Sequence, residues 1–438
     1  MSSRHLQKVW VAILTVSLMT PFQSFAAAEE STQRIPMEDV QRFSNAISQI
    51  KKYYVKQTDD KELFDNAIRG MLSGLDPHST YLNEEDFKDL QTATNGEFGG
   101  LGIEVTMEEG LVKVVTPLVD SPAFKAGIKA GDYIIQLDDQ SVQGMSLKDA
   151  VNLMRGKEGT TIELTVLRKG ESKPLSFTLV RENIQIKSVK SKLLDNQYGY
   201  IRLTQFQALT SKDMKQAIDQ LKQQAGGELK GLILDLRNNP GGLLDSAIQI
   251  SDAFIHNDQK GEEEKIVYTE GRLPGSKFTA LASPGDILNN APIVVLINNG
   301  SASASEIVAG ALQDNKRAII IGTQSFGKGS VQTVLPLDSK RGIKLTTALY
   351  FTPSGRSIQA RGIIPDIVVE EVEVPVKKDE SVFTGFTEAN LAGHLTEATE
   401  NNDKTSLKSN KEELNLLHED YQLYTALTIL KGLAIARR

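Results

Sequence analysis

Two apolar runs constrain the fold of this chain most strongly, because each ends abruptly in a polar turn. GLILDL leads into RNNPGG at residues 231–242, and PIVVLINNG leads into SASAS at residues 292–305. Runs this short without a polar face are typical of strands covered on both sides, as in a parallel sheet. A helical stripe over residues 211–224 precedes the first run. We therefore expect an α/β domain over residues 184–370.

The stretch GTQSFGKGS, residues 322–330, has part of the pattern of a phosphate-binding loop. In such a loop Ser or Thr follows the lysine and a helix begins there, with its N-terminus towards phosphate. Here Gly329 follows Lys328, and the next residues, VQTVLPL, alternate in polarity and contain Pro336, which predicts a strand. The nucleotide-binding interpretation therefore fails, and Lys328 needs another role.

Charge and composition exclude several classes of function. The formal net charge of −7 argues against a nucleic-acid binder that neutralises phosphates. The sequence contains no cysteine, which excludes thiol catalysis, disulfides and thiolate metal sites. We expect no cofactor and no metal.

The histidines offer no good base for a serine nucleophile. They are His5, His78, His256, His394 and His418. His78 lies in the turn-like stretch DPHSTYL, where a structural role is the favoured interpretation. A lysine can replace histidine as a base when it is neutral, and full burial lowers a lysine pKa by up to about 3–5 units. The glycines on both sides of Lys328 would let its backbone enter a tight, dry pocket.

The first 28 residues have the pattern of an export signal. A basic start is followed by the apolar run VWVAILTVSLM and by small residues at cleavage spacing. An uncleaved membrane anchor is the alternative, although the run is short for a span. Residues 29–94 then predict a helical segment with two amphipathic helices. We expect an exported protein, periplasmic if the source has two membranes.

Residues 95–183 alternate short strands with glycine turns and contain one helix near residues 146–154. With SPAFKAGIKAGD and the GGLGI loop, this stretch resembles a PDZ domain of the bacterial protease type. The resemblance implies that the loop would bind a peptide's terminal carboxylate on backbone N–H groups, while the peptide adds as a strand. The loop residues in question are Gly100, Leu101, Gly102 and Ile103.

INNGSASASEIVAGALQDNKRAIIIGTQSFGKGSVQ resembles the catalytic segment of the carboxyl-terminal processing peptidases, which are tail-specific serine proteases with a Ser/Lys dyad. LILDLRNNPGGLL and TTALYFTPSGRSIQARGIIPDI extend the resemblance over nearly the whole chain after the signal. It implies Ser303 as the nucleophile, Lys328 as the general base and Gln332 as the residue that orients the lysine. Residues four apart on a strand share a face, so Lys328 and Gln332 are expected to meet.

The resemblance also implies an oxyanion hole made by the backbone N–H of Ala304 and that of Gly241 or Gly242. The sequence by itself does not choose among Ser301, Ser303 and Ser305. Taken in isolation, SASAS would be a small-residue turn with Ser303 as a helix N-cap.

The predicted architecture is an α/β protease core with an inserted PDZ domain, a small β-rich α+β unit, and helical N-terminal and C-terminal segments. A polar linker over residues 371–410 leads to a helix over residues 411–438, which would dock on the body, join a dimer or bind an adaptor. We expect an exported endopeptidase that acts on proteins with free apolar C-termini and forms a homo-oligomer, with an adaptor protein as a further candidate partner. An inactive PDZ scaffold of the cell envelope is the alternative.

Overall fold

The computed structural model describes residues 35–256, 264–375 and 415–437. The predicted signal over residues 1–28 and most of the predicted linker over residues 371–410 lie outside the described residues. The described chain forms two compact units that divide after Asn66. No helix in the described ranges is long and apolar enough to cross a membrane.

The first unit contains α1 (Met37–Tyr53) and the start of α2 (Asp60–Ser73). Phe43 and Phe64 pack with their ring centroids 6.4 Å apart, and Lys51 pairs with Asp60 at 2.6 Å. No residue of α1 is buried, so the predicted apolar stripe is exposed in the single chain. Both predicted N-terminal helices are present.

The second unit continues with a short strand and one further helix before the PDZ-like domain. These are β1 (Thr80–Leu82) and α3 (Glu84–Asn95). Asn83 caps α3 by accepting the N–H of Asp86 at 2.9 Å, which satisfies one free donor of the first turn. The helix ends at Gly96, whose φ of +76° suits glycine.

The next region is the small β-rich domain that the glycine turns predicted. Its elements are β2 (Glu97–Gly100), β3 (Ile103–Glu108), β4 (Leu111–Pro117), α4 (Pro122–Lys125), β5 (Tyr133–Leu137), β6 (Gln140–Ser141), α5 (Leu147–Met154), β7 (Thr161–Leu167), β8 (Leu175–Val180) and β9 (Glu182–Gln185). Val112, Val114, Ile134 and Leu164 are fully buried in its own core. Strands β2 and β9 pair with each other, so the two ends of the domain meet, as an insertion requires.

The α/β core is a six-stranded sheet in the order β10-β11-β12-β15-β16-β19. Its strands are β10 (Val189–Leu194), β11 (Tyr198–Leu203), β12 (Gly231–Asp235), β15 (Ile293–Ile297), β16 (Ala318–Gly322) and β19 (Ile367–Val368). The helices are α6 (Thr210–Ala225), α7 (Leu244–Asp252) and α8 (Ala304–Asp314). Every residue of β12 and β15 is buried and both strands are parallel to their neighbours, which confirms the expectation from the two apolar runs.

A second, antiparallel sheet lies beside the first. It contains β1 together with β13 (Lys265–Gly271), β14 (Phe278–Leu281), β17 (Ser330–Pro336) and β18 (Gly342–Phe351). Strand β17 follows the glycine-lysine stretch, as predicted, and begins at Ser330. In the pairing of β17 with β18, Gln332 lies opposite Thr346.

The C-terminal helix α9 (Tyr421–Ala436) docks on the open face of the six-stranded sheet. Leu423, Ala426, Leu427 and Leu430 are buried there among side chains of β12, β15 and β16. Of the three roles considered for this helix, the structure shows the first, docking on the body.

Candidate active site

The turns after β12 and β15 meet at one edge of the sheet, because parallel neighbouring strands end on the same side. Asn238 and Asn298 exchange two hydrogen bonds, N–H to Oδ1 at 2.8 Å and Nδ2 to Oδ1 at 3.0 Å. The Ala302 N–H donates to the Asn239 carbonyl at 3.0 Å. These bonds press the two turns together, so that a Cβ added to Gly241 would lie 2.8 Å from the Ser303 Cβ. Only glycine fits at that position.

Three serines of SASAS have different environments. The Ser301 hydroxyl donates to the Leu236 carbonyl at 2.8 Å, and the Ser305 hydroxyl donates to the Asn239 carbonyl at 2.9 Å. Both residues are fully buried. Ser303 instead lines a cleft and takes a φ of +57°, a strained value for a residue other than glycine. Among the three, Ser303 is therefore the serine whose side chain a substrate can reach.

Lys328 lines the same cleft, on the segment between β16 and β17. A Cβ on Gly329 would lie 2.5 Å from the Gln359 backbone nitrogen, and one on Gly327 would lie 3.0 Å from that of Gly362. Gly327 also has a φ of +92°. The flanking glycines thus allow the close backbone approach that the sequence suggested.

The surroundings of Lys328 favour its neutral form. Burial lowers the pKa of its amine below the usual value, and the positive charge of Lys344 lowers it further, against the opposing charges of Glu306 and Asp76. In the part of the chain that the structure describes, no carboxylate forms an ion pair with this amine. A lysine with a lowered pKa can act as a general base near neutral pH.

Glu306, on the first turn of α8, joins the serine turn to the lysine segment. Its Oε2 accepts the N–H of Ser303 at 2.8 Å and that of Lys328 at 2.9 Å. Its Oε1 accepts the Ser325 hydroxyl at 2.6 Å and the Gly327 N–H at 2.7 Å. The side chain is fully buried. Glu306 is not among the residues predicted from the sequence. The one hint of its role is that it is an acidic residue in a helix start that is otherwise small and apolar.

Tyr350 on β18 also contacts both residues. Its hydroxyl donates to the Lys328 carbonyl oxygen and hydrogen-bonds to the Ser303 hydroxyl. Burial raises the pKa of Tyr350 well above its usual value, so the phenol stays protonated. Tyr350 was not selected from the sequence either.

Gln332 lines the cleft together with Lys328, but the two residues do not share a strand as the sequence pattern predicted, and the role of Gln332 in orienting the lysine stays a prediction. That expectation placed both on one strand, whereas β17 begins at Ser330, after the lysine. The strand alternation therefore does not apply to Lys328, and its carbonyl bonds to Tyr350 instead of a strand partner. The Gln332 Nε2 donates to the Ser330 hydroxyl at 2.9 Å.

The cleft encloses about 520 Å³ and has a mixed lining, in which polar and charged residues such as Gln205, Asp245 and Lys344 accompany a group of apolar ones. Its apolar lining comprises Leu90 and Ala93 of α3 together with Phe206, Leu243, Leu244, Ile307, Val331 and Val334. Gly242 and Ala304 line it as well, while the Gly241 N–H is taken up by the Asn239 Oδ1 at 2.9 Å. Such a site can hold an extended apolar peptide segment next to a serine, a buried amine and backbone N–H groups.

The comparisons with known proteins agree with this geometry. The profile of peptidase family S41 matches residues 197–369, a PDZ profile matches residues 99–179, and the profile of the activating protease CtpB N-terminal domain matches residues 15–86. A carboxy-terminal-processing protease of Bartonella bacilliformis is 49% identical over 383 residues, 87% of this chain and 86% of that protein. This chain belongs to the carboxy-terminal processing proteases of peptidase family S41.

Two further relatives extend the comparison. Carboxy-terminal processing protease CtpA of Bacillus subtilis is 40% identical, covering 75% of this chain and 68% of that one. The solved photosystem II D1 C-terminal processing protease is 32% identical over 75% of this chain and 86% of its own, with a TM-score of 0.44. The chain is thus a serine peptidase with a PDZ domain inserted in its protease fold, which favours the enzyme over the inactive scaffold.

In this peptidase the predicted carboxylate-binding loop lies between β2 and β3. Gly102 has a φ of +69°, and a Cβ there would lie 2.3 Å from the Ser121 Cβ. Its carbonyl accepts the Leu118 N–H at 2.8 Å and the Ser121 hydroxyl at 3.1 Å, while Leu101 is buried. These bonds fix the loop against α4. Peptide binding by Gly100, Leu101, Gly102 and Ile103 stays a prediction.

Helix α3 connects the PDZ domain with the protease cleft. On one side Asp89 pairs with Arg155 at 2.9 Å, and Glu85 pairs with Lys148 of α5 at 2.8 Å. On another side Leu90 lines the cleft. A displacement of α5 would therefore reach the cleft through one short helix.

Proposed function

We propose that this peptidase cuts protein substrates near their C-termini with a Ser303/Lys328 dyad. The observation that carries the proposal is that both side chains line one cleft. In addition, the Glu306 carboxylate accepts the backbone N–H groups of both residues. The 49% identical relative is itself named a carboxy-terminal-processing protease, which supports the same class of substrate.

In the proposed reaction the neutral Lys328 amine takes the proton of the Ser303 hydroxyl as Oγ attacks a peptide carbonyl. The new ammonium then gives that proton to the leaving amine, and an acyl-enzyme remains on Ser303. A water molecule attacks the ester, again with Lys328 as base, and releases the new C-terminus. The lowered pKa of Lys328 supports this role because the base must be unprotonated at the start.

We assign the oxyanion donors to the N–H groups of Ala304 and Gly242. Ala304 is the first residue of α8, where backbone N–H groups lack helical acceptors. Of the two glycines that the resemblance offered, Gly241 already donates to Asn239 while Gly242 lines the cleft. Loss of one such donor typically costs about 10²–10³ in kcat.

The PDZ domain is proposed to receive the substrate's free, apolar C-terminus on the loop Gly100–Ile103. The polar contacts of Glu85 and Asp89 to the PDZ domain support a gate, in which the bound tail moves α5 and α3 adjusts the cleft. The apolar lining of the cleft supports apolar side chains around the cut bond.

Export, assembly and an adaptor belong to the same proposal. The pattern of residues 1–28 supports export, to the periplasm in an organism with two membranes. The exposed apolar side chains Val40, Phe43 and Ile50 of α1 support a homo-oligomer, since a stripe of this kind gains stability when a second copy covers it.

The decisive experiment incubates residues 29–438 with an unfolded protein that carries an apolar C-terminal tail. Wild type should cleave it, while Ser303→Ala and Lys328→Ala should not. Ser172→Ala and Lys173→Ala, in an exposed PDZ turn, are matched controls and should cleave normally. Cleavage by both dyad variants would show that the assignment is wrong, and blocking the substrate's carboxylate should slow the wild type.

A further inference from the structure

The loop Asp76–Ser79, before β1, is held next to the cleft by one carboxylate. Asp76 Oδ1 accepts the N–H groups of His78 at 2.8 Å and Ser79 at 3.0 Å, and Oδ2 accepts the Ser79 hydroxyl at 2.6 Å. Its fourth partner is distant in sequence, since Thr346 of β18 donates its hydroxyl to Oδ1 at 3.1 Å. Burial opposes ionisation of Asp76, yet the four hydrogen bonds outweigh it and keep its pKa below the usual value. The carboxylate is therefore ionised.

This charge state fixes the direction of the next hydrogen bond. An ionised carboxylate only accepts, so the single hydroxyl proton of Thr346 is used towards Asp76. The Thr346 oxygen can then only accept on its other side, where the Gln332 Nε2 lies at 3.4 Å. The same Nε2 donates to the Ser330 hydroxyl at 2.9 Å. Both N–H groups of the Gln332 amide are thus directed at the protein.

The amide oxygen of Gln332 is the part of the side chain that remains to accept a hydrogen bond in the cleft. Gln332 lines this cleft together with Lys328. A neutral amine carries two N–H groups and one lone pair. If the Gln332 oxygen accepts one N–H of the Lys328 amine, it fixes the direction of the amine's lone pair. If the Gln332 amide were flipped, its NH₂ group would instead face the N–H groups of the amine. We propose that Asp76 and Thr346 are positioning residues, which set the Gln332 amide so that its oxygen orients the Lys328 amine towards Ser303.

The inference rests on the proposed dyad and extends it by two residues from segments that the sequence analysis left without a function. The charged and titratable groups around Lys328 are Lys344 and Tyr350 on β18, Glu306 on α8, and Asp76 and His78 in the loop before β1. Asp245 of α7 lines the same cleft. The charge of Asp76 raises the pKa of Lys328. Two variants separate these roles. Asp76→Asn removes the charge, which lowers the pKa of the base, while its amide oxygen can still accept from Thr346. Asp76→Ala removes the acceptor as well and should also lower kcat at every pH.

The test measures kcat and KM of residues 29–438 on a short peptide that does not need PDZ docking. Thr346→Val keeps the shape but removes the hydroxyl, and should lower kcat about tenfold with KM little changed, as expected for one lost hydrogen bond. Thr346→Ser should restore most of the activity. Thr347→Val is the matched control, because its hydroxyl bonds to Thr333 instead of to Gln332 or Asp76.

Two further arms separate positioning from general damage. In a Gln332→Ala background Thr346→Val should have no additional effect on kcat, since coupled residues are not additive. Asp76→Asn should move the acidic limb of kcat to lower pH with little change in its plateau, and Asp76→Ala should lower the plateau as well. Wild-type kcat in Thr346→Val, or an equal loss with and without Gln332, would overturn the inference.

The same variants distinguish a failure of the proposed positioning role from a failure of the Ser303/Lys328 dyad. If Ser303→Ala is inactive and Thr346→Val is fully active, the positioning role of Asp76 and Thr346 is wrong and the dyad stands. If Ser303→Ala retains activity, the dyad is wrong and the positioning role is overturned with it. Should Thr346→Val fail to fold, Thr346→Ala supplies the kcat readout and Asp76→Asn supplies the shift of the acidic limb.

Discussion

The junction of the serine and lysine turns differs in kind from the junction between α3 and the PDZ domain. At the first, Glu306 is fully buried and accepts four hydrogen bonds. At the second, the two ion pairs involve side chains that are 29% to 62% exposed. Buried networks stabilise one arrangement strongly, whereas exposed ion pairs contribute little and can be exchanged. The peptidase therefore combines a rigid candidate active site with a loosely held connection to its PDZ domain.

The largest expected effect comes from removing the buried carboxylate. Glu306→Ala leaves four donors without an acceptor and should reduce stability by about 3–5 kcal/mol, by analogy with broken buried ion pairs. Activity should fall below detection, because both Ser303 and Lys328 lose their common anchor. Urea unfolding and peptide hydrolysis measure the two effects.

A milder substitution tests the same anchor when Ala prevents folding. Glu306→Gln keeps the shape, but either orientation of the amide sets its NH₂ group against at least one backbone N–H, that of Gly327 or those of Ser303 and Lys328. We expect a folded protein with strongly reduced kcat. Glu171→Ala, at an exposed PDZ turn, is the control and should behave as wild type. Normal kcat in Glu306→Gln would show that the anchor is not needed for catalysis.

A half-buried connection joins the C-terminal helix to the turn that carries Gly242. Arg237 donates to both oxygens of Asp420, at 2.8 and 2.7 Å, and to Asp235 at 2.7 Å. Burial raises the pKa of Asp420, but the bonds to Arg237 outweigh this and lower it overall. A lowered carboxylate pKa stabilises the fold above the unfolded value of about 3.9, and this stability is lost as pH falls through the folded pKa.

Asp420→Asn should therefore lower the stability at neutral pH by about 1–3 kcal/mol, the range for a hydrogen bond to a charged partner. The difference from wild type should shrink as the pH falls through the carboxylate range. Thermal unfolding at several pH values measures it, with Glu419→Gln as a neighbouring control outside these bonds. A difference that is independent of pH would contradict the role of the Asp420 charge.

The sequence predicted a region well where the residues that determine it are contiguous, and poorly where those residues are far apart in the chain. Strands β12 and β15 and the polar turns after them depend on contiguous residues, and they were correctly placed. The choice among Ser301, Ser303 and Ser305 needed the carbonyls of Leu236 and Asn239, which lie 65 and 66 residues away. Asp76 meets Thr346 across 270 residues, and a single sequence carries no pattern that reports such a pair.

The assumption that Lys328 and Gln332 share one strand failed for a similar reason. It required β17 to include Lys328, and element ends are the least reliable part of a pattern-based assignment. The strand begins two residues after Lys328, at Ser330. Gln332 reaches the cleft from the strand, while Lys328 reaches it from the glycine-flanked segment before the strand.

A smaller effect is expected from Lys344, whose charge lowers the pKa of Lys328. Lys344→Met should raise the pKa of the base, so activity should appear only at higher pH. At alkaline pH, where Lys328 is neutral in either protein, kcat should approach that of wild type. Lys340→Met, on an exposed lysine paired with Glu84, is the control. An unchanged acidic limb in the pH profile of kcat would show that Lys344 does not act on the base.

The smallest effect on stability, and the most informative about the gate, should come from the exposed junction. Glu85→Lys sets two positive charges against each other at α3 and α5, and should leave the melting temperature nearly unchanged because the pair is exposed to solvent. The ratio of activities on tailed and tail-blocked substrates should nevertheless change, and Lys148→Glu should restore it in the double variant. Glu84→Lys, on the same helix as Glu85 but opposite Lys340 of the turn between β17 and β18, provides the control for charge alone. If the ratio is unaffected by Glu85→Lys, α3 does not transmit tail binding to the cleft, and the exposed junction is only an attachment point.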